Sequence, residues 1–141
     1  MSQPSAQTPN AAHAMFADDL ASQTLGMELL EAGDGNASVR MRIAAAMVNG
    51  HDIAHGGYLF LLADTAFACA CNSHGPVTVA SGAEINFIEP AALGDELLAV
   101  ATERTTYGRN GIYDVTVYRG AAADGTVIAE FRGRSRVLTS R

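Results

Sequence analysis

Asn49-Gly-His51-Asp52-Ile-Ala-His55-Gly56-Gly57-Tyr-Leu-Phe-Leu-Leu-Ala-Asp64-Thr-Ala-Phe-Ala-Cys69-Ala-Cys71-Asn72 decides how the rest of the chain must fold. From Gly57 to Cys71 it is rich in Ala and Leu, with no internal Pro or Gly, and reads as a helix. The helix is apolar all round, which predicts burial on every side. It is too short for the ~20 residues that a bilayer requires, and Asp64 interrupts it. A carboxylate on such a helix is costly unless it is paired, hydrogen-bonded or protonated, so Asp64 is either a bonded structural residue or a functional one. Gly56-Gly57 lets a ligand approach the backbone closely. The first helical turn offers unpaired N–H groups and a partial positive charge to an anion or oxyanion. Gly57 and Asp64 are roughly 10 Å apart along a helix at ~1.5 Å per residue. One reacting carbonyl cannot lie within ~3 Å of both. If both act on one substrate, two antiparallel helices from two copies of the chain must share the site.

The 141 residues suffice for one domain with one core. Residues 1–8 are expected to form a disordered tail and residues 9–141 a single domain. The start of the chain has no basic segment followed by an apolar one, so no signal peptide is expected. Cys69 and Cys71 cannot pair with each other and no other cysteine exists, which fits reduced core thiols in a cytoplasm. The net charge of −6 argues against nucleic-acid binding. It is unevenly spread: residues 1–103 carry −10 and residues 104–141, with seven Arg, carry +4. Those Arg either bind a small polyanion or decorate the solvent faces of strands.

Along the chain, Thr8-Pro9 opens a helix expected to run to about Thr24, with His13 a surface or interface residue. Met27–Ala32 and Asn36–Ile43 form a hairpin about Gly33-Asp34-Gly35; in the second strand Ala37, Val39, Met41 and Ile43 share one face. Ala44–Val48 is one helical turn. Asn72-Ser-His74-Gly-Pro76 stops the central helix, with His74 favoured by the helix dipole. Four strands follow, Val77–Phe87, Glu96–Tyr107, Ile112–Arg119 and Thr126–Leu138, and read as a meander. On the last, Arg132, Arg134 and Arg136 share a face. The fold class is α+β: a curved antiparallel sheet of five to six strands wrapped around one long central helix. Its edges invite pairing with a second copy.

The run from Asn49 through His55-Gly56-Gly57 to Leu-Ala-Asp64-Thr-Ala-Phe67 resembles the signature of hotdog-fold acyl-CoA thioesterases, most closely the PaaI type of phenylacetate degradation. The resemblance extends to His13-Ala-Met-Phe16, Ile85-Asn-Phe87, Pro90, Gly94-Asp95, Gly111-Ile-Tyr-Asp-Val115 and Phe131-Arg-Gly-Arg-Ser135. It implies that Asp64 is the catalytic carboxylate, that Gly56 with Gly57 forms the oxyanion hole, and that Asn49 positions the lytic water or the thioester. His55 then shapes the loop and the thioester pocket, and Ser81 sits near the carboxylate of the partner chain. Phe87 and Gly111 join the substrate contacts. The family's homodimers often pair into tetramers.

The reaction so implied is thioester hydrolysis, with Asp64 acting as general base or as nucleophile. Coenzyme A is part of the substrate, and no cofactor, metal, membrane or nucleic acid is expected. Its phosphates would lie near Arg109 or near Arg132 and Arg134 on the outer sheet surface. Tyr58, Phe60, Leu61 and Phe67 are candidate walls of an acyl pocket or plain helix core. His51 and His55, spaced by four with Asp52 between them, suggest a metal only superficially, since they sit in a Gly-containing loop and no third ligand is in register. A hydratase would need a His on the helix, which is absent. A non-catalytic acyl-CoA binding module is the alternative from another class.

Overall fold

A computed structural model describes residues 8–138, so all of the expected tail but Thr8 lies outside the described residues. The strands are β1 (Glu28–Gly33), β2 (Asn36–Arg42), β3 (Thr78–Phe87), β4 (Glu96–Tyr107), β5 (Asn110–Arg119) and β6 (Val127–Val137). They form one antiparallel sheet in the order β1-β2-β4-β5-β6-β3. Helices α1 (Ala11–Ala17) and α2 (Leu20–Thr24) precede β1, and the long helix α3 (Gly56–Asn72) packs against all six strands. This is the hotdog architecture, α+β as expected. Among the described residues no helix is long and apolar enough to cross a membrane.

The β1–β2 hairpin turns on Asp34 (φ 52°) and Gly35 (φ 83°). Two successive positive φ values are what a two-residue hairpin of matching twist requires, and Asp-Gly meets that demand. The inward residues Ala37, Val39 and Met41 are buried as the alternation predicts. The expected helical turn is a short 3-10 turn, Ala45–Met47.

Several local expectations need correction. The N-terminal helix starts two residues later, at an Asn10 cap whose side chain accepts from Ala12 N–H at 2.9 Å, while Asn10 N–H donates to His13 Nδ1 at 3.1 Å. It then breaks at Asp18-Asp19, because the Asp19 carboxylate caps a new helix, α2. The last four strands are not one meander: β3 pairs with β6, and β4 lies between β2 and β5. The connection from β3 to β4 is pinned across the start of α3, with Ala54 N–H donating to Ala91 O at 2.8 Å and Leu93 N–H to Asp52 O at 3.0 Å. That detour carries the chain away from β3 before β4 begins. His74 lies beyond the Ser73 C-cap, and its Nε2 is 2.8 Å from Glu103 Oε2. Finally, α3 is not buried on every side. Gly57 is exposed, and Phe60, Leu61, Asp64 and Ala68 are half-buried, so one stripe of the helix is left uncovered by the described residues.

The far end of α3 is stapled. Buried Asn72 donates Nδ2–H to Ala68 O and Thr78 O and accepts from Thr78 N–H at 3.0 Å. Glu103 accepts from Tyr113 Oη–H at 2.8 Å as well as bonding His74. Burial pushes the Glu103 carboxyl up, but the hydrogen bonds of Tyr113 and His74 outweigh it and hold it below 4.5. A depressed carboxyl stabilises the fold above its ordinary value and loses that contribution as pH falls through the folded one. Glu103→Gln is therefore expected to cost about 1 kcal/mol at neutral pH. Its melting temperature should converge on wild type in acid; a parallel offset at every pH would contradict the network.

Candidate active site

The Asn49 loop is built on its own side chain. Asn49 Oδ1 accepts from His51 N–H at 2.8 Å and from Ile53 N–H at 3.1 Å, and Asp52 adopts φ 60°. The Asn49 amide nitrogen has no partner among the described residues and can donate. The loop delivers His55 as the N-cap of α3, with an exposed side chain that makes no capping bond. Gly56 and Gly57 follow as the first two helical residues, so their N–H groups have no intrahelical acceptor.

The two glycines differ in their surroundings. A Cβ on Gly56 would lie 2.7 Å from Phe87 Cζ, so the Phe87 ring sits directly over that backbone. Beside Gly57 there is nothing within 4 Å. Phe87 is 53% exposed and, with Ile53, Gly56, Leu59, Ile88 and Pro90, lines an apolar groove of about 380 Å³ at the start of α3.

Asp64 stands two turns further along, on the uncovered stripe. Its carboxylate makes no hydrogen bond or ion pair among the described residues. Burial, and then the nearby Asp19 carboxylate, raise its pKa above 3.8. Ser81 is the extra residue of a β-bulge on β3, the sheet's edge strand, and its Oγ–H donates to Arg134 O at 3.2 Å. The bulge turns it away from the regular ladder.

The basic candidates lie elsewhere and do not converge. On the outer sheet face Arg132 grips Asp114 through two bonds of 2.7 and 2.9 Å, and Arg134 Nη1 donates to Glu84 at 2.9 Å. A groove of about 530 Å³ runs along this face beside Asp114 and Arg132. Arg109 is exposed in the β4–β5 turn, next to a cavity of about 80 Å³ that Cys71 and Tyr113 also line. Gly111 is buried close by; a Cβ there would lie 2.7 Å from Ser135 Oγ. Of the aromatic candidates, Phe67 is core, 1% exposed, with its ring centroid 5.6 Å from that of Tyr113. Phe60 packs edge-on against Phe131 at 5.3 Å, and Tyr58 and Leu61 are half-buried. Among the described residues no group of three His, Cys, Asp or Glu is placed to hold a metal.

Two features escaped the sequence reading. The walls contributed by Ile53, Leu59 and Ile88 come from three separate segments, and no local pattern joins them. Asp19 had a signal: Asp is a favoured N-cap residue, easily lost inside an apparently continuous helix.

Residues 51–125 match the family model described as the thioesterase superfamily. The acyl-coenzyme A thioesterase PaaI of Escherichia coli (strain K12) is 43% identical over 124 residues, spanning 88% of this chain and 86% of that protein. The structure of the E. coli PaaI protein from the phenylacetic acid degradation operon superposes with a TM-score of 0.86 at 41% identity, over 92% of this chain and 91% of that one. A mutant of the phenylacetic acid degradation protein PaaI from Thermus thermophilus superposes with a TM-score of 0.79 at 33% identity, over 85% and 100%.

Proposed function

This chain belongs to the thioesterase superfamily, and from that premise we propose that it hydrolyses aromatic acyl-CoA thioesters, phenylacetyl- or hydroxyphenylacetyl-CoA, to the free acid and coenzyme A. One observation carries the reading: Asp64, a carboxylate without a partner among the described residues, lies on the stripe of α3 that those residues leave open. A second copy of the chain fits there. β1 packs against both α1 and α3, whereas β3, the other edge, packs against α3; Val79 on β3 and Val77 just before it are exposed, which leaves this edge to a second copy. Continuing the sheet through β3 in a homodimer brings the open stripes of two helices together, and such dimers can pair further into a tetramer.

In that site the thioester oxygen rests on the Gly56 and Gly57 N–H groups of one protomer. Preorganised donors of this kind are worth about 3–4 kcal/mol each. Asp64 of the other protomer either takes a proton from water or attacks the carbonyl carbon itself. In the first case hydroxide adds, the C–S bond breaks, and the thiolate of coenzyme A recovers the proton. In the second a mixed anhydride forms as the C–S bond breaks and the coenzyme A thiolate leaves; water then cleaves the anhydride, giving back the Asp64 carboxylate and a proton to the thiolate. Asn49, through its free amide N–H, positions the water or thioester, and His55 shapes the loop around it. Ser81 lies near the carboxylate of the other chain.

The aromatic acyl group is supported by the apolar groove with Phe87 over Gly56, and by the phenylacetic acid degradation named for two relatives. Coenzyme A is held along Arg109 and Gly111, or along Arg132 and Arg134, whose present partners it must displace. No cofactor is required.

The test is thiol release on phenylacetyl-, medium-chain and acetyl-CoA, using wild type and mixed subunits. Asp64→Asn and Gly57→Pro, which removes an N–H in the first helical turn where nothing lies within 4 Å of an added Cβ, are each expected to be inactive alone. A random mixture of the two should recover about a quarter of wild-type activity, because half the dimers are mixed and each holds one intact site. No recovery would place the whole site in one chain. Binding without turnover in the wild type would favour a non-catalytic acyl-CoA module, and equal kcat/KM across the panel would remove the aromatic preference.

A further inference from the structure

A second carboxylate is clamped beside α3 by hydroxyls that have little else to do. Asp19 Oδ1 accepts from Ser22 N–H at 3.0 Å, and Oδ2 accepts the Ser22 hydroxyl at 2.6 Å. Ser22 Oγ also lies 2.8 Å from Thr65 Oγ1. A hydroxyl has one proton to give, and that of Ser22 goes to the carboxylate, so Thr65 is the donor to Ser22. The chain of bonds runs from Thr65 O–H through Ser22 O–H to Asp19. Ser22 is 1% exposed and Thr65 4%. Two buried hydroxyls carry a desolvation cost that an apolar contact between the same helices would avoid. What they achieve is a fixed place for the Asp19 carboxylate, two hydrogen bonds from Thr65, the residue that follows Asp64 in α3.

We infer that Asp19 is a positioning residue for the hydrolysis: a negative charge, locked onto α3 by Ser22 and Thr65, against which the Asp64 carboxyl must ionise. The inference rests on the reading of Asp64 as the reacting carboxylate. A nearby like charge favours the protonated form. Burial is the larger cause of the raised Asp64 value and Asp19 the second. The same charge reaches a neighbouring position of the helix, since the Cys69 thiol is pushed up to about 12 by burial and then by Asp19. A carboxyl moved toward the working pH is a better proton acceptor from water than an ordinary one.

Few other ionisable groups face α3. β4 supplies Glu103 and β5 supplies Tyr113, but both are bonded at the far end of the helix with His74. α1 supplies His13, whose Nδ1 is engaged with Asn10. The helix itself carries Tyr58 at its start and Cys69 and Cys71 beyond Asp64. The inward residues of β1, β2, β3 and β6, such as Ala32, Val39, Ile85 and Phe131, are not ionisable.

Asp19→Asn keeps the helix cap and the bond from Ser22 N–H while removing the charge. The acid limb of the kcat/KM–pH profile is expected to move to lower pH in this variant, and the Asp64 carboxyl, followed by 13C NMR, to titrate at lower pH with it. An unmoved Asp64 titration would overturn the inference. Asp64→Asn with wild-type turnover would instead remove the reading beneath it, and the NMR readout, which needs no turnover, keeps the two failures apart.

Discussion

Replacing Asp64 with Asn is expected to lower kcat/KM for acyl-CoA hydrolysis by about 10²–10⁴-fold, the usual contribution of a positioned acid or base, and at the same time to raise the melting temperature. The amide fills the same space but can neither accept a proton from water nor attack a carbonyl. The gain in stability follows from the sign of the pKa shift. The folded value lies above the ordinary 3.8 because burial, and then Asp19, disfavour the charge. Such a group contributes its full stability below the ordinary value and loses it as pH rises through the raised folded one. Above that window the wild type carries an uncompensated carboxylate that the Asn variant lacks. The difference in melting temperature should therefore grow as pH rises through the window. Thermal melts across the acid range, run beside the thiol-release assay, check both halves. A lowered melting temperature at neutral pH would mean that the assembled protein pairs this carboxylate, and undiminished turnover would take it out of the chemistry.

Phe67→Ala should produce the largest loss of stability, about 3–5 kcal/mol. The ring lies between Tyr113 and Phe131, at centroid distances of 5.6 and 5.8 Å. It fills the space that Gly133 leaves open on β6: a Cβ there would meet Phe67 ring atoms at 2.8 Å. Truncation opens a cavity between helix and sheet that rigid strands cannot close. Against a total of about 5–15 kcal/mol for a domain, the loss is large. The melting temperature is expected to fall on the order of 10 °C. A drop of only a degree or two would show that the ring borders a yielding pocket, as an acyl-chain lining would, instead of the core.

Phe67 and Asp64 together show where a sequence informs and where it does not. Both sit on the same apolar helix, less than one turn apart, yet one is core and the other lies on the open stripe. The composition of 57–71 identifies the helix, but apolar residues spread over all faces do not say which face lacks a cover. The hairpin at Asp34-Gly35 was legible because its two positive φ values demand that residue pair locally. The pairing of β3 with β6 was not, because it depends on the 88–95 connection bonding to the Asn49 loop, two segments far apart in sequence. Likewise the row of Arg132 and Arg134 was legible from period two, while Asp114 and Glu84, which hold them, come from other strands.

The central helix, its glycine start, the carboxylate seven residues on, and the need for a second chain if both serve one substrate are all readable from the order of residues. These follow from local geometry, in which residue type and rise per residue suffice. That the stripe bearing Asp64 is the open one, that Phe87 covers Gly56, and that Asp19 is clamped beside the same helix emerge only from the packed fold. Each of those depends on which distant segments the sheet brings together, and burial, unlike helical rise, is a property of the whole packed chain.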